Sequence, residues 1–156
     1  MAIRSDSFSS VAEVTAFTRH LLDGNNTFNS TTRPTVTELE KFIDRASGLL
    51  NVALSSAGFS PASVYVNSTA KLACDDWVTN KAARYVELTQ RGTGYSESEG
   101  GRLPAFEILG GADEFVKQNK LGFIQLGVSQ SAKLSRGLSF TGLIVQDDRT
   151  DKDDTS

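Results

Sequence analysis

Apolar and polar positions along this chain repeat most regularly between Thr35 and Gly58, where they write out one long amphipathic helix. Leu39, Phe42, Ile43, Ala46, Leu49, Leu50, Ala53 and Ala57 recur at the i, i+3, i+4, i+7 spacing of a single buried stripe. Pro34 marks the approach. Thr37 and Glu40 have the spacing of a capping box, in which hydroxyl and carboxylate each satisfy the other residue's backbone N–H. Gly58 follows as a left-handed stop. The opposite side carries Lys41, Asp44, Arg45, Ser47, Asn51 and Ser55, which reads as a solvated or partner-facing surface without chemistry of its own. At about 1.5 Å per residue the helix from Thr37 to Ala57 is roughly 30 Å long, the width of a small domain.

Other segments follow the same grammar. Ser10 and Glu13 form a second capping-box pair, opening a short helix to about Leu22 with Val11, Val14, Phe17, Leu21 and Leu22 as its stripe; Asp23-Gly24 ends it. Asn25 to Arg33 is a polar loop with Phe28 as its anchor, and Val64-Tyr65-Val66 is a short β-prone piece after Pro61. A third helix starts at Ser68 or Thr69 and reaches Gln90 or Arg91, with Gly92 as its stop. Its apolar face, Leu72, Ala73, Cys74, Trp77, Val78, Ala82, Tyr85, Val86 and Leu88, is wide enough for a central helix contacted from two sides. After the Gly/Ser/Glu loop from Thr93 to Arg102, Ala105 to Lys120 predicts a fourth helix, kinked or broken at Gly110-Gly111. Gly122 to Gly127 reads as an extended or turn segment, and Leu138 to Val145 is the best strand candidate. The expected fold is therefore mainly α: a small bundle of three main helices plus a shorter or broken fourth, with an extended C-terminal arm containing a short β-strand. One domain spans residues 1–145, with the helical body at about 8–120 and the arm at about 121–145, followed by a flexible acidic tail at 146–156.

Charge sharpens this picture. The tail from Gln146 to Ser156 holds five Asp against Arg149 and Lys152, which accounts for the whole net charge of −3 and leaves the preceding residues balanced. That balance argues against a broadly basic nucleic-acid-binding surface. Apolar content of 38% with 13 glycines predicts long polar connections and apolar surface buried against neighbouring molecules. No run approaches the ~20 apolar residues of a membrane span, and MAIRSDSFSS lacks the apolar core of a signal peptide, so a soluble protein made in a cytoplasm is expected. The sequons at Asn25, Asn29 and Asn67 then read as coincidences of composition.

Candidate chemistry is sparse. His20, the one histidine, has no acidic or nucleophilic neighbour in sequence and reads as a helix C-terminal residue favoured by the dipole. Cys74, the one cysteine, lies on an apolar face beside Trp77 and reads as a buried hydrophobe. Asp75 and Asp76, adjacent near a helix N-terminus, point about 100° apart and do not converge on a metal. Asp113 and Lys117 have i,i+4 spacing on a solvated face. Gly92-Thr93-Gly94 and Gly100-Gly101 lack the Lys-Ser/Thr of a phosphate loop, and DDRTDKDD lacks the glycine and terminal Glu of a calcium loop. No catalytic, cofactor-binding or metal-binding residue is assigned, and a non-enzymatic protein is expected.

The order FSSVAEVTAFTRHLL, a polar loop, then TRPTVTELEKFIDRASGLLNVALSSAGF resembles the head–tail adaptor (connector) proteins of tailed bacteriophages and gene transfer agents. In that family an S-V-x-x-V helix precedes a long helix of the type P-x-x-x-E-x-E-x-x-I-D-x-A-S-x-x-L-x-x-x-L. The matching residues are Ser10, Val11, Val14, Pro34, Glu38, Glu40, Ile43, Asp44, Ala46, Ser47, Leu50 and Leu54. The resemblance covers Phe8 to Gly92; beyond Thr93 it extends to general arrangement alone. It implies a virion structural protein in the neck between capsid and tail. Such subunits form a dodecameric ring beneath the portal protein, extend the channel through which double-stranded DNA passes without sequence-specific contact, and dock the stopper or tail terminator. It also implies a C-terminal arm that meets a partner, for which Leu138, Phe140, Leu143, Ile144 and Val145 are the interface candidates. The alternative is a small helical DNA-associated or regulatory protein. Against it, the loop from Asp23 to Pro34 is far longer than the turn of a helix-turn-helix.

Overall fold

In the computed structural model, residues 3–22, 27–91 and 110–130 are described, and they form a helical bundle. Its helices are α1 (Val11–Thr18), continued by a 3₁₀ turn at Arg19–Leu21, α2 (Val36–Ser56), α3 (Pro61–Val66), α4 (Ser68–Arg91) and α5 (Ala112–Gln125). The mainly α reading stands. Among the described residues no strand occurs, only an isolated bridge between Phe59 and Gln130. The strand candidate Leu138–Val145 and the acidic tail lie outside the described residues.

The long helix begins two residues earlier than its pattern predicts. Thr35, not Thr37, is the N-cap: its hydroxyl accepts from Glu38 N–H, while the Glu38 carboxylate accepts from Thr35 N–H at 2.8 Å. Two Thr-x-x-Glu frames overlap here. The upstream one wins because Thr35 holds extended backbone after Pro34, and because the first helical N–H, of Val36, finds the Asn29 carbonyl at 3.0 Å. The same hydrogen bonds, from Thr35 N–H first and then its hydroxyl, hold the Glu38 carboxyl below its ordinary range. At the far end Gly58, at φ +88°, closes a Schellman motif: its N–H reaches Ser55 O, and Phe59 N–H reaches Leu54 O at 2.9 Å.

Two short segments differ from expectation. Val64-Tyr65-Val66 is helical, within α3, because Pro61 occupies N1 with its φ already suited to a helix and Val64 turns inward. Among the described residues there is no sheet edge for this three-residue β-prone run to join, so packing overrides propensity. Gly122 to Gln125 is likewise helical rather than extended. Burial of Phe123 against Phe59 and Phe115 draws the helix through Gly122, and the stop falls at Gly127, φ +71°, where Val128 N–H reaches Phe123 O. Helix α5 starts directly after Gly110-Gly111, with Gly111 as its N-cap, and runs five residues past Lys120; the stretch from Ala105 to Leu109 lies outside the described residues.

Helix α4 is the shared wall of the core, contributing Ala70, Cys74, Trp77, Val78, Ala82, Ala83 and Val86 to it. Helices α1, α2 and α3 pack on α4, and α5 packs chiefly on α2, reaching Trp77 through Phe115 at a centroid distance of 5.9 Å. The buried stripe of α2 is rotated from the expected one. Ser47 and Leu54 are buried, whereas Leu49 is half-exposed.

The polar side of α2 is not simply solvated. Asp44 accepts from Arg4 N–H and from the Ser7 hydroxyl, the latter at 2.7 Å. Ser47, 1% exposed, accepts from Phe8 N–H and donates to Phe8 C=O. On α4, buried Asp75 accepts from Ser9 N–H at 3.1 Å, and Thr79 bonds the Ser9 hydroxyl at 2.6 Å. These contacts lash residues 4–9 across α2 and α4. Ser47→Ala leaves a buried N–H and a buried C=O without their partner, so it should lower stability by about 1–3 kcal/mol. In the same urea titration Ser55→Ala, an exposed position on that helix, should stay within about 0.5 kcal/mol of the parent.

Candidate functional site

The structure gives His20 a partner that sequence distance concealed. Its Nε2 lies 2.8 Å from Oε1 of Glu87, a carboxylate 2% exposed on α4. The 3₁₀ turn after α1 brings the ring onto α4, so His20 is a cross-helix contact as well as a helix-end residue. Among the described residues the ring's hydrogen-bond partner is the Glu87 carboxylate. Cys74 is fully buried, and its thiol is pushed up to about 12, first by burial and then by the Asp75 carboxylate. Asp75 and Asp76 do diverge: Asp75 turns inward to Ser9 and to Lys71 Nζ at 2.6 Å, and Asp76 is exposed. Among the described residues no three His, Cys, Asp or Glu side chains are grouped to hold a metal ion. The glycine pairs Gly92/Gly94 and Gly100/Gly101, the tail aspartates, and the interface candidates Leu138, Phe140, Leu143, Ile144 and Val145 lie outside the described residues.

What the bundle does present is surface. Phe17 and Leu72, both assigned by periodicity to buried stripes, are 50% and 67% exposed. With Ala16 and Thr79 they line a shallow groove of about 200 Å³ between α1 and α4, rimmed by Glu13, Asp75 and Asp76. That volume is below the ~300 Å³ at which small-molecule sites begin. On α5, Leu121 is 74% exposed and Ile124 is 42% exposed. Helix α1 rests mainly on α4 and α5 mainly on α2, so the two apolar areas are carried by different elements. A second opening, of about 470 Å³, lies between the 5–6 segment, Asn51 on α2, and Pro61, Tyr65 and Val66 on α3.

Between α2 and α4 runs a ledge of cations over aromatic rings. Arg45 sits 5.5 Å from the Tyr85 centroid, and Lys81 Nζ sits 6.0 Å from the same ring and 5.9 Å from Trp77. Burial, then the neighbouring Arg84, lowers the Lys81 pKa. Sequence reading missed the ledge because its residues come from two helices more than thirty positions apart; helical spacing relates Lys81 to Tyr85 but not to Arg45.

The chain matches no known family model, no curated protein and no solved structure. Its surfaces and buried groups therefore stand on their own chemistry. The Cys74 thiol should resist a maleimide at mildly alkaline pH in the folded protein and react fully in denaturant. Rapid labelling of the native protein, read by intact mass, would contradict its burial.

Proposed function

We propose that this chain is an assembly subunit acting as a head–tail adaptor, with copies arranged in a ring beneath a portal and a stopper or tail component docked on the other side. The observation that carries this reading is the pair of unlike exposed apolar surfaces, Phe17/Leu72 on α1 and α4 and Leu121/Ile124 on α5, in one bundle. A head-to-tail ring contact uses two different patches of the same subunit, whereas a two-fold dimer needs only one self-complementary patch. Large exposed aliphatic groups concentrated in this way mark interaction sites. The capped helices and the lashed N-terminal segment supply a body rigid enough to hold both patches in fixed relation. DNA would pass through the channel with weak contacts that carry no sequence information.

A second reading, a small DNA-associated or regulatory protein, is favoured by the ledge of Arg45 and Lys81. Light scattering and negative-stain imaging of the full chain, alone and mixed with a portal protein, separate the two. Rings, or ring formation triggered by portal, are the expected result. A monomer indifferent to portal that shifts a duplex DNA band, and loses that shift in R45Q/K81Q, would select the second reading instead.

A further inference from the structure

The two surfaces are complementary in charge as well as in apolar character. Lys117, Lys120, Leu121 and Ile124 fall at i, i+3, i+4 and i+7 on α5, and all four are exposed. They form one basic, aliphatic face, with Asp113 at its N-terminal end. The α1–α4 groove has the opposite rim. Two exposed carboxylates, Glu13 and Asp76, flank an apolar floor of Ala16, Phe17 and Leu72. The third carboxylate of the lining, Asp75, is buried and already bonded to Lys71 at 2.6 Å. The groove thus keeps a negative surplus beside exposed aliphatic and aromatic carbon.

We propose that the outer face of α5 of one copy seats in the α1–α4 groove of the next, with Leu121 and Ile124 against Phe17 and Leu72, and Lys117 and Lys120 facing Glu13 and Asp76. The occupant is a second copy because the chain itself carries the complement: the acidic rim of Glu13 and Asp76 and the apolar floor of the groove match the exposed Lys117, Lys120, Leu121 and Ile124 of α5. Repeated, this heterologous contact closes into a ring or continues as a filament. The inference rests on the assembly reading and names its subunit interface.

Leu72→Cys and Leu121→Cys, in two separate full-length chains, test it directly. Both positions are largely exposed, so folding is preserved, and Cys74 is buried and stays out of the reaction. Mixing the two under mild oxidation should give the heterodimer as the main product, in excess of either homodimer. The double variant should give a ladder of linked oligomers. Glu13→Lys/Asp76→Lys on the Leu72→Cys chain should abolish the heterodimer, and Lys117→Glu/Lys120→Glu on its partner should restore it. A heterodimer no more abundant than the homodimers, or one indifferent to charge reversal, overturns the interface. Rings that persist through the charge reversal would overturn the interface while leaving the assembly reading intact. Cross-linked ladders from a protein that ignores portal would support the interface and overturn the adaptor reading.

Discussion

The passage of residues 7–9 across the seam between α2 and α4 is the constraint on which the packing of the body depends. Phe8 is buried there, which removes its backbone groups from water and obliges them to find partners inside the protein. Ser47 supplies both, accepting from the N–H and donating to the C=O. One residue later Ser9 holds φ +71°, a left-handed conformation that a side chain adopts at a cost of roughly 1–3 kcal/mol. Asp75 and Thr79 offset that cost by bonding the Ser9 N–H and hydroxyl, and Lys71 balances the charge on Asp75. Each group in this network answers another's buried polarity, so losing one strands the rest.

From that strap the placement of the flanking helices follows. Ser10, next in sequence, caps α1 by accepting from Glu13 N–H and donates to the Glu13 carboxylate, so the direction in which the strap leaves α4 sets where α1 lies. The α1–α4 groove is a consequence of that placement. On the other side, the aromatic chain Trp77, Phe115, Phe123 and Phe59 fixes α5 through tilted and edge-on contacts between 5.5 and 6.4 Å. Polar lacing at the α2–α4 seam and aromatic rings beneath α5 thus fasten the bundle at two places.

Much of the secondary structure was legible because its signals are local. Ser10 and Glu13 lie three residues apart, Gly58 immediately follows the last turn of α2, and Gly110-Gly111 sits where α5 cannot yet begin. Where local signals competed, pattern alone chose the wrong one: Thr37 for Thr35 as cap, and Lys120 for Gln125 as the end of α5. Each choice was decided by a contact outside the window, Asn29 O for the Val36 N–H and Phe59 for the ring of Phe123. Surfaces were less legible than helices. Periodicity marks Phe17, Leu49, Leu72 and Leu88 as core because it registers hydrophobicity and spacing, but whether a stripe is fully covered depends on the width of the element laid against it.

The amino-acid sequence by itself determined the α-helical class, the order of the longer helices and several of their ends, since caps, glycine stops and apolar periodicity act within a few residues. Tertiary structure decided which polar groups became internal fasteners and which apolar groups stayed outside. Ser47 and Asp75 look like surface residues until Phe8 and Ser9 are laid over them, and His20 looks isolated until a turn of chain sets it on Glu87. The physical reason is distance along the chain. A hydrogen bond between residues 39, 66 or 67 positions apart leaves no periodic trace, yet once burial excludes water it becomes obligatory.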